Sequence, residues 1–245
     1  MNIQRNIPNV ITLMNLLSGI LAILFILRDE LVLGSLCITI ALVLDFLDGF
    51  LARLLHAQSP IGEQLDSLSD LVSFGVAPGY ILWSLMRSAY LQEGVSISDL
   101  LPYASFLVPV FSALRLARFT IDTSQKFTFR GLPTPASAIF IGAIPLLLVG
   151  KNTPPLLQNI FSSPITLLIT AVVISFLMVA PVNMLSLKFK DFSWKSNWLR
   201  YLLLLLVVLL VILLGFASFP VIILCYVLLS AVFLPQSRVT PQAGQ

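Results

Sequence analysis

From Tyr201 to Leu214 the chain reads YLLLLLVVLLVILL, and apolar runs of similar character recur along its length. Runs near the ~20 residues of a helical bilayer crossing leave little room for any soluble fold. The composition agrees: 58% of the residues are hydrophobic and 10% charged, where a soluble domain carries about 25% charged. With a mean hydropathy of +1.00, the chain reads as an integral membrane protein. Its net charge of +3 is too small to argue for a nucleic-acid partner, and no basic run with interleaved aromatics appears. Cys37 and Cys225 both fall inside apolar runs and read as small buried hydrophobes, not as a disulfide or a zinc site. The N-terminal stretch MNIQRNIPNVITLMNLLSGILAILFIL lacks a small-x-small cleavage site, so a retained first membrane helix is expected.

The expected fold is an all-α polytopic membrane protein of about eight spans: roughly 10–27, 31–55, 66–91, 101–121, 133–150, 164–187, 198–215 and 219–235. Pro102, Pro133 and Pro164 stand at span starts, where proline is tolerated. Basic residues set the orientation. With the N-terminus in the cytoplasm, Arg5, Arg53, Arg115, Arg118, Lys126, Arg130, Lys188, Lys190, Lys195, Arg200 and Arg238 lie inside. Only Arg28, Arg87 and Lys151 then lie outside, a clear positive-inside pattern with both termini cytoplasmic.

Against this background LDFLDGFLARLLHAQSPIGEQLDSLSDLVSFG, residues 44–75, places four aspartates, in a chain with only eleven acidic residues, in apolar surroundings. Asp45, Asp48, Gly49 and Ala52 are spaced i, i+3, i+4, i+7 and share one helix face, as do Gly62, Asp66 and Asp70 at intervals of four. The topology brings both faces to one depth near the inner leaflet. Four neighbouring carboxylates cannot all stay ionised in a low-dielectric site without a cation. Two divalent ions relieve that conflict, and oxygen-rich ligation suits Mg2+ or Mn2+, which usually also bind substrate phosphates. Glycine and alanine on the same faces admit a flat ligand or a neighbouring backbone. The plainer readings are a proton or cation path and acids paired with arginines for packing.

The pattern Asp45-x2-Asp48-Gly49-x2-Ala52-Arg53-x8-Gly62-x3-Asp66-x3-Asp70 resembles the signature of the CDP-alcohol phosphatidyltransferases at every motif position. That resemblance implies a six-helix core, usually homodimeric, that displaces CMP from a CDP-linked lipid with an alcohol. The core would occupy 1–192, and 193–245 would form an added helical hairpin and a loose tail. Carried over, Asp45, Asp48, Asp66 and Asp70 would hold two metal ions, and Asp70 would also be the catalytic base on the incoming hydroxyl. Gly49, Ala52, Arg53 and Gly62 would receive the nucleotide.

Three further stretches, DSLSDLVSFGVAPG, SALRLARF with GLPTPASA, and LMVAPVNMLSLKFKDF, are similar to family members whose acceptor is serine. The third departs from the expected pattern, which would place a hydroxyl or basic residue near Ala180 to Asn183. The implied substrates are CDP-diacylglycerol and L-serine, and the implied setting is a bacterial inner membrane with the site facing the cytoplasm. Arg115 and Arg118, three apart on one face, and Arg130 on the same side of the membrane offer forks for a carboxylate or phosphate. Lys188 is a further candidate for the diphosphate, or else a headgroup anchor like its neighbours. Ser69 and Ser73 fall on or beside the Asp70 face and could meet substrate or pack inside the bundle. The alternatives are a sister enzyme using glycerol phosphate, inositol phosphate or choline, and, from another class, a cation transporter.

Overall fold

The computed structural model describes residues 3–93, 100–121, 129–151, 153–185 and 194–233. Helices α1 (Ile3–Leu27) and α2 (Leu31–Leu54) form an antiparallel hairpin. The turn between them closes because Asp29 takes a φ of 61° and the Glu30 N–H returns to Phe25 O at 3.0 Å. Lipid tails are as apolar as leucine, so helices in a bilayer associate through small residues and hydrogen bonds. Both are present here. A Cβ on Gly34 would lie 2.5 Å from Ile26 Cγ1, and Ser18 Oγ donates to Cys37 O at 2.8 Å.

Helix α3 (Pro60–Asp70) begins with proline in its first turn, and the Ser59 side chain accepts the Gly62 N–H at 3.1 Å. The helix does not end at Asp70. Leu71–Val76 widen into a π-helical turn that passes directly into α4 (Ala77–Glu93). Serines just before and within this turn fasten it to α1: Ser69 Oγ donates to Thr12 O at 3.2 Å and Ser73 Oγ to Asn15 O at 3.1 Å. These two serines serve packing. The approach is so close that a Cβ on Gly19 would collide with Ser73 Oγ.

A 3-10 turn, Leu101–Phe106, leads into α5 (Leu107–Ile121). The bundle is filled by α6 (Thr134–Val149), whose Ile141, Ile144 and Leu147 are fully buried beside Phe74, Ile81 and Leu82. Helix α7 (Pro155–Ser162) meets α8 (Pro164–Val179) at a 76° bend. Two short strands, β1 (Phe129–Arg130) and β2 (Asn183–Met184), pair antiparallel, with Arg130 opposite Asn183. Gly131 passes over α8 at a φ of 75°, where a Cβ would collide with Met178 O. The chain closes with α9 (Trp194–Leu214) and α10 (Ser218–Phe233), which packs on α6 and β2.

Among the described residues five helices are long and apolar enough to cross a membrane, or six if α7 and α8 form one broken span. The protein is an all-helical integral membrane protein, and its outward leucines and phenylalanines, Phe46 at 67% exposure among them, are what lipid requires. The elements depart from the expected spans in several places. The third span begins at Pro60, not 66, because Ser59 and Pro60 start the helix early. Helices α6 and α10 are only 16 residues long. The sixth span stops at Val179, where the chain turns to build β2. Amphipathic α7 falls between two expected spans. Lys126, Lys188 and Lys190 lie outside the described residues.

Candidate active site

Helices α2 and α3 bring their acidic faces together. Asp45, Asp48 and Asp66 each offer an oxygen, and these atoms all lie within 4.8 Å of one another. Asp70, one turn beyond Asp66 and 8% exposed, completes the group from the buried side, where Asp45 reaches it. Helix α1 supplies the neutral neighbours. Asn15 Nδ2 donates to Asp70 Oδ1 at 3.5 Å, and Thr12 stands beside Asp48.

Two carboxylate oxygens of the cluster, Asp48 Oδ2 and Asp66 Oδ1, are buried and accept no hydrogen bond from protein, as is also true of Asn15 Oδ1. Leaving such atoms without partners costs free energy unless something else is bound there. Converging hard oxygens with unused lone pairs fit a divalent cation of the Mg2+ or Mn2+ kind.

Along this cluster runs a cleft of about 400 Å³, lined by Asp48, Asp66, Gly49, Ala52, Arg53 and Gly62, with Asn9 and Thr12 opposite. All four residues expected to receive a nucleotide therefore share one cavity with two of the aspartates. The two glycines differ in kind. A Cβ on Gly49 would meet nothing nearer than Arg53 Nη2 at 4.0 Å, so glycine here leaves open floor. On Gly62 it would press on Asn9 Oδ1 at 3.0 Å and Ser59 Oγ at 3.1 Å, so that glycine also serves the helix cap.

A second cleft, of about 360 Å³, is lined by Arg115, Arg118 and Arg130 against the strip from Met178 to Pro181. Arg115 is the inward member: its Nη1 donates to Thr134 Oγ1 at 3.2 Å, and its buried Nε has no hydrogen-bond partner. Its charged and titratable neighbours are Asp70 and Tyr226, so it links the arginine cleft electrostatically to the acidic cluster. Arg118 and Arg130 are exposed at the cleft mouth. Phe119 lines both clefts and forms their shared border. Lys188 cannot be placed relative to either, being outside the described residues.

Residue-level reading of the sequence did not single out Thr12, Asn15, Phe119 or Tyr226. A signal existed for the first two. Asn9, Thr12 and Asn15 are polar positions three apart in a stretch, residues 8–17, that is otherwise apolar, a polar stripe that must face something other than lipid.

The sequence model described as CDP-alcohol phosphatidyltransferase matches residues 5–182. A Bacillus subtilis protein named CDP-diacylglycerol–serine O-phosphatidyltransferase is 34% identical over 177 residues, 72% of this chain and 88% of the relative. A Methanocaldococcus jannaschii protein of the same name is 34% identical over 178 residues, 72% of each chain. A Helicobacter pylori protein so named is 35% identical over 136 residues, 55% of this chain. The chain spans about half the length of that relative, 54%.

Proposed function

This chain belongs to the CDP-alcohol phosphatidyltransferase family, and from that premise we propose that it transfers the phosphatidyl group of CDP-diacylglycerol to the hydroxyl of L-serine, giving phosphatidylserine and CMP. The observation that carries the proposal is the meeting of Asp45, Asp48 and Asp66 within 4.8 Å, with Asp48 and Asp66 lining a cleft that also holds Gly49, Ala52 and Gly62. The serine acceptor is supported by the names of the relatives and by the arginine cleft, whose Arg115 is an electrostatic neighbour of Asp70.

In this reading Asp45, Asp48, Asp66 and Asp70 would hold two divalent cations, Mg2+ or Mn2+, which would supply positive charge for the diphosphate and for the departing CMP oxygen. Gly49 and Ala52 leave room for the cytidine, and Arg53 lies at the cleft wall for the diphosphate. Arg115 takes the serine carboxylate, a partner its free Nε lacks within the protein, while Arg118 and Arg130 draw anions to the mouth. Asp70 accepts the proton of the serine hydroxyl as that oxygen attacks the lipid-proximal phosphorus. A new P–O bond to serine forms, the P–O bond to CMP breaks, and CMP departs through the cleft beside Gly62.

The proposal extends to the setting. The site faces the cytoplasm of a bacterial inner membrane, both termini lie on that side, about eight spans are threaded, and the protein works as a homodimer. Purified protein given CDP-diacylglycerol, divalent metal and labelled serine should release CMP and label the lipid. Turnover with glycerol phosphate, inositol phosphate or choline but not serine would move it to a sister activity. Metal-driven ion flux in vesicles without CMP release would favour the transporter.

A further inference from the structure

Strand β2 is held from outside the part of the chain that the family match covers, which ends at residue 182. Leu185, directly after β2, gives both of its backbone groups to α10. The Tyr226 hydroxyl donates to Leu185 O at 3.1 Å, and the Leu185 N–H donates to Ser230 Oγ at 3.1 Å. Ser230 Oγ also donates to Tyr226 O at 2.7 Å, so these two side chains, one helical turn apart, act as one grip. Tyr226 and Ser230 are 8% and 1% exposed, on a helix that is otherwise almost wholly apolar.

A membrane anchor needs only an apolar surface, and buried hydroxyls add nothing to that task. The place they hold matters more. A pair of two-residue strands has little stability of its own. This pair sets Arg130 opposite Asn183, and the residues running into β2, Val179 to Pro181, form one wall of the arginine cleft. Tyr226 is at the same time an electrostatic neighbour of Arg115, on the far side of that cleft.

We propose that Tyr226 and Ser230 are positioning residues for the acceptor half of the site: by gripping Leu185 they fix β2, and through it Arg130 and the Val179–Pro181 wall, opposite Arg115. The C-terminal hairpin is then part of the machinery that receives the alcohol, as well as a membrane element. This deepens the proposed function and rests on its reading of the arginine cleft as the acceptor subsite.

The test uses the full chain with Tyr226→Phe, Ser230→Ala and the conservative Ser230→Thr. CMP release is followed against acceptor concentration at saturating CDP-diacylglycerol, and against CDP-diacylglycerol at saturating acceptor. Loss of one hydrogen bond of the grip should raise the acceptor KM roughly three- to tenfold. The kcat and the CDP-diacylglycerol KM should stay within about twofold of the parent, and Ser230→Thr should restore the parent values. Leu228→Ala, on the lipid-facing side at 62% exposure, should change neither constant. An unchanged acceptor KM in Tyr226→Phe and Ser230→Ala overturns the proposal, as does a loss confined to kcat that follows the folded fraction. If the parent protein uses an alcohol other than serine, the function reading fails while the same split, measured with that alcohol, still decides this one. Hydrogen exchange at Gly131 and Leu185 gives a readout without turnover. Faster exchange in both variants is expected, and parent-like exchange would count against the grip.

Discussion

Asn15 and Asp70 stand 55 positions apart in sequence and meet at 3.5 Å, the amide nitrogen of one donating to the carboxylate of the other. The amide's own oxygen is buried and accepts nothing, so Asp70 is the amide's one hydrogen-bond partner among the described residues. A neutral donor at this position orients the carboxylate while adding no cation that would compete with metal. Replacing Asn15 with leucine, of similar volume but without the donor, should lower kcat about tenfold with little change in the CDP-diacylglycerol KM, as steady-state CMP release would reveal.

Asp70 itself should be far more sensitive. Asp70→Asn keeps the shape and removes the proton acceptor, for which a loss of ~10²- to 10⁴-fold in kcat is expected. Binding of CDP-diacylglycerol, measured by retention of labelled lipid, should persist within a few fold. Near-parent turnover would remove Asp70 from the role of base.

Metal removal should act on activity and on stability. Chelation should abolish CMP release, and Mg2+ or Mn2+ should restore it. Because the bundle keeps Asp45, Asp48 and Asp66 within 4.8 Å of one another, a bound cation should also raise the melting temperature. Ligand at a hundred times its Kd adds about 2.7 kcal/mol. Asp48→Asn should shift both responses to higher metal concentration. A melting temperature indifferent to metal in the parent protein would contradict the assignment.

The glycines separate site from scaffold. Gly49→Val projects into open cleft, where only Arg53 Nη2 lies within 4.0 Å, so the variant should fold normally and show a raised CDP-diacylglycerol KM. Gly131→Ala drives a Cβ into Met178 O at a φ of 75°. Strain of that kind costs about 1–3 kcal/mol before any clash is counted. Thermal melting in detergent should therefore fall for Gly131→Ala and not for Gly49→Val.

Arg115 should govern the acceptor. Truncation of a buried charge-paired group costs about 2–5 kcal/mol, so Arg115→Ala should raise the serine KM at least about thirtyfold. Arg118→Ala, at the exposed mouth, should change it only a few fold and mainly at low salt. Equal effects of the two, measured by acceptor titration at two ionic strengths, would mean that burial does not rank these arginines.

Much of the site is legible in the sequence because its signals are local. Asp45 to Ala52 and Gly62 to Asp70 sit at helical spacings, so a shared face follows from 3.6 residues per turn alone. The eight expected spans are less well defined at their edges. Hydropathy reports composition, and it cannot register that Val179 ends a helix because the chain must turn into β2. Ser69 and Ser73, candidates for substrate contact by their place beside Asp70, bond the backbone of α1 instead. Hydroxyl residues in a membrane helix serve substrate and packing equally well, and only the partner decides between them.

The solvent and the acidic pattern belong to the sequence alone: apolar runs that demand a membrane, carboxylates crowded at helical spacing, and a motif that names the family. Each of these is a property of residues within one or two helical turns of each other. Which groups serve those carboxylates from afar is a matter of tertiary structure. Asn15 reaches Asp70, Phe119 lines both clefts, and Tyr226 and Ser230 bond the backbone of Leu185 next to β2. Those meetings depend on how α1 crosses α3, on the π turn that follows Asp70, and on where α10 docks. They are set by the fit of whole helices, a quantity that no short window of sequence contains.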